Sequence, residues 1–534
     1  MSRLSVEDVK VGLRLLGSLP SFLKTPLTLD AAGALLQERL KHRDRNFLAL
    51  VHSGVYDRPK SLYRELLHGV GCEYGDLERL VRNESVEGAL LNLLHKGVYL
   101  SVDEFKGRCA IRRGSLELAG GPKRLLNPAS VVHGLSSTSG SGGHPTVVPI
   151  DLAFIRDHAV NTHLGLAAHG GAHWAHAHWG VPGGTAVTNP LEFAKGGNPP
   201  VKWFSPADPM ARDLHPRYRW GTCALRWGSA LAGVPLPRAE HVPLDHPLAI
   251  AQWLEDVLRT GRVPHLWTFS SSAVRVCQAA LVAGISLEGA RFTMGGEPTT
   301  PARRRVVEQS GAGALPRFGS NETDILAFAC REPEAPDQQH WFHDRHAVIQ
   351  PGAIADKIGL PRRALVITSL LPTAPLLLLN VSLGDQADLT ERSCGCLLED
   401  LGWHTHVQNV LSFEKLTAGG FNFLDCDVVE VLEEVLPSRF GGSSNDYQLL
   451  EEQTSRCEPQ VRLLVHPSVG DIDSEKLLNT FLQALCGGSS GARFMEMQWR
   501  QAGVVRISRE APRTTASGKV LHLHRDVSGA VCDH

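Results

Sequence analysis

The segment from Pro247 to Gly311 constrains the fold most, because it changes element type on a regular schedule. PLAIAQWLEDVLRTG reads as an amphipathic helix closed by a glycine, HLWTF as a short strand, SSS as an N-cap region and AVRVCQAALVAG as a second helix. RFTM then reads as a strand, GGEP as a turn and TTPARRRVVEQSG as a third helix. Such alternation predicts a doubly wound α/β sheet.

Elsewhere the pattern differs. Residues 1–130 look mostly helical, as in VEDVKVGLRLLGSL and VEGALLNLLHKGV. Near the other end, Val428, Val431, Leu432 and Val435 share one helix face, with Asp427 and Glu430 as a capping pair. Strand-like VRLLVH, a helix DSEKLLNTFLQAL and strand-like VVRIS follow. The expected architecture is a large N-terminal doubly wound α/β domain, residues 1–411, and a small mobile C-terminal α+β domain, residues 412–534.

With 534 residues, of which 43% are hydrophobic, the chain can bury more than one core. A formal net charge of −2 provides no basic field for nucleic acid or an anionic membrane, so neither is expected as a partner. The N-terminus lacks the unbroken apolar centre of a secretory signal. ALVITSLLPTAPLLLLNVSL is interrupted by Pro372 and Pro375 and reads as two buried strands with a turn. Eleven cysteines, an odd number, point to a reducing compartment, and the cytoplasm is the expected location.

Three segments could carry chemistry. LSSTSGSGGHPTVVPID, Leu135 to Asp151, is rich in Gly, Ser and Thr before a β-branched pair. It lacks the GK[ST] ending of a Walker loop, and Pro145 stands where a dinucleotide fingerprint needs its last glycine. Its amides and hydroxyls could still surround phosphate, with an ordinary surface loop as the equal alternative. GGEP and RFGSNET fall where strands end, which is where open α/β sheets bind ligands. PRTTASGKV holds Lys519 in a glycine-flanked turn.

Taken in order, these segments resemble the adenylate-forming superfamily of acyl-CoA synthetases, most closely its phenylacetate-CoA ligase and acyl-protein synthetase-like branch. TSGSGGHPT, Thr138 to Thr146, resembles that family's TSGSTGxPK or SSGTTGxPT loop, with Gly142 replacing the usual threonine. The resemblance implies that Thr138, Ser139, Gly140, Ser141, Gly143 and Thr146 hold the ATP phosphates. Gly295, Gly296, Glu297 and Pro298 would lie against adenine, Phe318 beside Gly319 would stack on it, and Glu322 would help hold Mg2+. Asp385 would bind the ribose hydroxyls. GGFNFLDCDVVEVLEE resembles the segment that opens the family's small domain, and PRTTASGK resembles PRTxSGK, making Lys519 the implied catalytic lysine. The family's hinge arginine is missing, with Lys415 nearby in VLSFEKLTAGG. The matches span roughly residues 100–525.

The implied function is ATP-dependent activation of a carboxylic acid to an acyl-adenylate with pyrophosphate release, then transfer to a thiol, coenzyme A first among candidates. Two alternatives remain, transfer to a protein or carrier thiol and a non-catalytic nucleotide-binding relative. Related ligases also carry a Cys, a His and a CxCG that can hold a tetrahedral zinc, so Cys330, His340, Cys394 and Cys396 are candidate Zn2+ ligands, with ordinary buried thiols as the alternative and His343 or His346 as substitutes for His340. HGGAHWAHAHWGVPGG reads as pocket or core packing before a metal site. GGSSG, Gly487 to Gly491, is a weak hydrolase signal, and Cys486 reads as a structural thiol before an acyl acceptor.

Overall fold

The computed structural model describes residues 6–137, 146–181, 185–209, 216–415, 417–418, 421–422, 428–453, 459–485, 505–515 and 517–525. The N-terminal part is helical, with α1 (Val6–Leu23), α2 (Leu29–Lys41), α3 (Arg43–Val51), α4 (Leu62–Gly69), α5 (Tyr74–His95) and α6 (Val102–Lys106). Two hairpins follow, β1 (Ile111–Arg113) with β2 (Leu116–Leu118) and β3 (Gly134–Ser137) with β4 (Val147–Ile150).

Helix α7 (Leu152–Ala168) begins where the glycine-rich stretch ends. Asp151 is its N-cap: one carboxylate oxygen accepts from Ala153 N at 2.9 Å and the other from Val131 N at 2.7 Å. The buried aspartate thereby fixes the far end of the loop to both hairpin and helix.

Among the described residues, twelve strands form the main sheet. Six run parallel: β5 (Ala175–Trp179), β6 (Lys202–Ser205), β7 (Ala239–His241), β8 (Pro264–Phe269), β9 (Arg291–Gly295) and β10 (Gly313–Ser320). Helices α8 (Thr185–Lys195), α9 (Pro216–Leu231), α10 (Leu248–Arg259), α11 (Ser270–Val282) and α12 (Pro301–Gln309) connect or cover them. The antiparallel half comprises β11 (Asp324–Ala329), β12 (Gln339–Trp341), β13 (His346–Ile349), β14 (Ala364–Ser369), β15 (Val381–Glu391) and β16 (Thr405–Ser412). The strand order is β13-β14-β15-β16-β12-β11-β10-β9-β8-β5-β6-β7. Every residue of β5 is buried, as expected for a parallel strand covered on both faces.

Three local expectations change. The SSS triplet forms the first turn of α11 and does not precede it, since Phe269 is the N-cap. In the Pro-broken apolar run, β14 ends at Ser369 and β15 starts only at Val381, leaving LLLL outside any strand. Leu376 to Leu379 instead bury their side chains in non-strand backbone, and Asn380, at φ +51°, donates to Leu90 O and Val98 O. The C-terminal helical face begins at Val428 and widens into a π turn over Val431–Val435, while Asp427 lies outside the described residues.

Beyond it, β19 (Tyr447–Gln453), β20 (Pro459–Val465), β21 (Val505–Ser508) and β22 (Leu523–Arg525) make a four-stranded sheet, ordered β21-β20-β19-β22; a two-residue hairpin, β17 (Thr417–Ala418) and β18 (Phe421–Asn422), precedes it. Its apolar face packs with Val428–Leu436 and the helix Ser474–Leu485 into a core of its own. Among the described residues, no helix is long and apolar enough to cross a membrane.

Candidate active site

Among the described residues, the Gly295 to Pro298 turn and Lys519 come together where the parallel strands end. A Cβ on Gly295 would stand 2.6 Å from Cγ of Arg317; one on Gly296 would stand 2.8 Å from the Phe269 ring and 3.1 Å from Cε of Lys519. Gly296 also has φ +73°, so both steric space and backbone conformation demand glycine there.

Glu297 points inward. Its carboxylate accepts from Ser271 N at 2.8 Å and Ser271 Oγ at 3.0 Å, and lies 3.8 Å from Arg303 Nη1. Pro298 O accepts from the same guanidinium at 3.3 Å. The turn after β9 is thereby bound to the first turns of α11 and α12. Ser271 also joins the C-terminal unit: Val520 N donates to its hydroxyl at 3.4 Å, and Asn445 Nδ2 to its carbonyl at 3.1 Å. Arg303 Nη2 donates to Val520 O at 3.4 Å. Its Nε pairs with Glu433 at 2.8 Å, and the same carboxylate takes the Thr300 hydroxyl and lies 2.6 Å from His522 Nε2.

That docking delivers Lys519 to the cleft. A tight turn holds it, with Lys519 N donating to Thr515 Oγ1 at 3.1 Å and Gly518 N to Thr515 O at 2.8 Å. Its ammonium sits 4.8 Å from the Phe269 ring centroid. Burial, followed by the positive charge of Lys415, pushes the ammonium down to about 8, with Arg317 adding and Glu297 and Asp385 opposing.

Asp385, on β15 opposite Ser412, completes this charge cluster. Burial raises its carboxyl, Glu414 and Glu322 add to that, and Lys415 and the Ser412 hydroxyl counter it. Lys415, in the stretch that lacks an arginine, is therefore near enough to act electrostatically on both Asp385 and Lys519. Glu414 is tied to Lys106 at 2.5 Å and Arg108 at 2.8 Å. Glu322 occupies the turn after β10, its N–H donating to Ser320 Oγ at 3.2 Å. Phe318 and Gly319 flank a bulge in the β10–β11 pairing, and the Phe318 ring tilts against Trp341 at 6.3 Å.

Thr146 is buried at the start of β4. Thr138, Ser139, Gly140, Ser141 and Gly143 lie outside the described residues, as do Cys486 and the GGSSG segment. Sequence reasoning did not single out Ser271, Arg303, Glu433 or Phe269. The SSS triplet directly after HLWTF was the available signal for Ser271, and nothing local marked Arg303 or Glu433.

Among solved structures, the crystal structure of 2-hydroxyisobutyryl-CoA ligase in the postadenylation state in complex with 2-HIB-AMP matches with a TM-score of 0.52 at 14% identity, covering 92% of this chain and 90% of that one. The chain has the adenylate-forming ligase fold. The same ligase with 2-HIB-AMP and CoA in its thioesterification state matches at 0.46 and 15% identity, covering 92% and 91%. The O-succinylbenzoate coenzyme A synthetase of Bacillus subtilis, in complex with ATP and magnesium, matches at 0.42 and 12% identity, covering 74% and 69%. The last two scores are too low to add to the fold assignment. No family model matches the chain, and no curated protein matches it.

Within this ligase fold, Cys330, His340, Cys394 and Cys396 come together, their donor atoms all within 4.8 Å of one another. His340 Nδ1 lies 2.6 Å from Trp403 O, an N–H donation that leaves Nε2 facing Cys396 Sγ at 3.2 Å and Cys394 Sγ at 3.6 Å. Three thiols and an imidazole oriented by a backbone carbonyl fit the donor set and outer support of a tetrahedral zinc. His343 and His346 fall outside the cluster. In the His-rich segment, His176 stacks on Phe193 and its Nδ1 lies 2.8 Å from His265 Nδ1, while His265 Nε2 lies 2.8 Å from Thr293 Oγ1. These rings line the sheet face beneath α8.

Proposed function

We propose that the chain uses ATP to convert a carboxylic acid to an acyl-adenylate with pyrophosphate release, then transfers the acyl group to a thiol, with coenzyme A as acceptor. The observation that supports this most is Lys519: a cation from the C-terminal unit held over Gly296 and Phe269, in one charge cluster with Asp385.

A carboxylate is a poor acyl donor because its leaving group would be oxide. Attack on the α-phosphorus of ATP brings two anions together, so a compact, desolvated ammonium is the group that lowers this barrier. In this reading Lys519 neutralises the developing charge, Glu322 helps hold Mg2+, Asp385 takes the ribose hydroxyls, Phe318 and the Gly295 to Pro298 turn bound the adenine, and Thr138, Ser139, Gly140, Ser141, Gly143 and Thr146 would bind the phosphates. The unit from about residue 412 would rotate after adenylation, withdrawing Lys519 and admitting the thiol. Cys330, His340, Cys394 and Cys396 would hold a structural zinc that staples the β11–β12 connection to the segment after β15.

The test is pyrophosphate release from ATP and magnesium across a panel of acids, with and without coenzyme A. Release that needs an acid and disappears in Lys519→Ala is expected. Undiminished release from that variant would defeat the assignment of Lys519. Release without acyl-CoA formation would favour a carrier or protein thiol, and intact ATP binding without release would favour a non-catalytic relative.

A further inference from the structure

Below Lys519, on the same sheet face, lies a group of side chains whose shielded nitrogen atoms lack a well-directed hydrogen bond. Arg317 leaves β10 and crosses Gly295, whose missing Cβ gives it passage, to place its Cζ 4.6 Å from the Trp267 ring centroid. Its Nε is shielded from solvent and makes no well-directed hydrogen bond among the described residues, while the side chain as a whole is only partly buried. Trp267 Nε1 is likewise buried without an acceptor. His178, paired with Trp267 across β5 and β8, has neither ring nitrogen in a well-directed hydrogen bond. Shielded donors without partners are costly, and Arg317 Nε beside Trp267 Nε1 favours an acceptor between them.

The protein's own carboxylates do not supply it. Asp324 and Glu192 are near enough to favour the charge on Arg317, but Asp324 lies 3.4 Å from His158, and Glu192 accepts from Thr162 at 2.9 Å. Burial and the neighbouring Asp324 raise the Glu192 carboxyl well above its ordinary range, which weakens it as a partner for a cation. Asp324 and Glu192 offset part of the cost of burying the Arg317 charge, but burial outweighs them and pushes the guanidinium down to about 10.

Position along the strand indicates what is missing. Trp267 and Phe269 are two residues apart on β8 and so face the same way, roughly 7 Å from each other along the strand. Each carries a cation, Arg317 on Trp267 and Lys519 on Phe269. Resting on the adenylation reading, which puts the reacting carboxylate at the Lys519 end, we propose that the acid carries a second anionic group that Arg317 binds: the substrate class is a short dicarboxylic acid, seated on Trp267 with His178 as a neutral hydrogen-bonding wall. A simple fatty or aryl acid would cover the partly exposed guanidinium without giving it a partner of its own. A planar fork also suits a carboxylate, which it can bind with two parallel N–H donations.

Two measurements test this. In the first, ATP-free thermal shift and calorimetry compare chain-length-matched dicarboxylic and monocarboxylic acids on the intact protein. In the second, pyrophosphate release is read with the same acids for the native chain, Arg317→Met and Arg317→Lys. Dicarboxylic acids should stabilise the native chain and exceed their monocarboxylic partners by at least about a hundredfold in kcat/KM. Arg317→Met should abolish that preference through KM while leaving ATP affinity unchanged, and Arg317→Lys should restore part of it. Equal use of mono- and dicarboxylic acids, or loss of ATP affinity in both variants, would overturn the proposal while leaving adenylation intact. Arg317-dependent binding of a dicarboxylic acid with no pyrophosphate release from any acid would uphold the anion site and sink the adenylation reading.

Discussion

Arg303 and Glu433 form a 2.8 Å ion pair between the main sheet's α12 and the C-terminal unit, with both side chains about 1% exposed. Burial alone would raise the Glu433 carboxyl, but Arg303, His522 and Thr300 outweigh it and hold it below the ordinary carboxylate range. The pair is therefore a charged latch whose strength depends on both partners staying ionised.

Glu433→Gln should loosen the docked C-terminal unit. Removing the Glu433 charge leaves buried Arg303 with only the longer 3.8 Å pairing to Glu297, which costs up to about 3–5 kcal/mol. Limited proteolysis should cut the variant faster between residues 412 and 428. A pH series adds a sign: a depressed folded pKa means the contribution is complete above the ordinary carboxylate range and is lost as pH falls below it. Acid should loosen the native chain and change the variant little.

Lys519 sets an alkaline limit. It is charged below about 8 and loses its proton as pH rises through that value, so kcat/KM for pyrophosphate release should fall on the alkaline side. A profile flat through the alkaline range would separate Lys519 from the rate.

Gly296→Ala should disable the site without unfolding the protein. An alanine at φ +73° is strained by roughly 1–3 kcal/mol, and its Cβ would press on the Phe269 ring and Lys519. A modest fall in Tm with a much larger fall in pyrophosphate release is expected. Gly17→Ala, on an exposed helical position with nothing within 4 Å, should leave activity unchanged and stability equal or slightly higher.

Metal analysis should find one zinc per chain held by the cysteine and histidine cluster. A strong chelator should lower Tm by several degrees, and Cys396→Ser should lower it similarly while removing the chelator's effect. Purified protein without zinc and indifferent to chelation would assign these thiols to packing alone.

Local order carried the fold class. The alternation of PLAIAQWLEDVL, HLWTF, AVRVCQAALVA and RFTM is set by side-chain periodicity and glycine punctuation, which act within a few residues, and each of these elements forms where that pattern places it. The same locality explains the misses. LLLL was read as strand because apolar runs look alike in strand and buried coil, and only the neighbours around Asn380 decide between them.

Sequence by itself determined the order of elements, the glycines at the strand ends and the lysine of the final turn, because each depends on short-range backbone preference. The tertiary structure alone decided that Glu297 faces Ser271 and Arg303 and that Arg317 lies on Trp267, and it brought together the Cys330, His340, Cys394 and Cys396 set that the resemblance implied. Those outcomes depend on which strands become neighbours and which charges burial leaves unpaired, properties that arise only when the chain has packed.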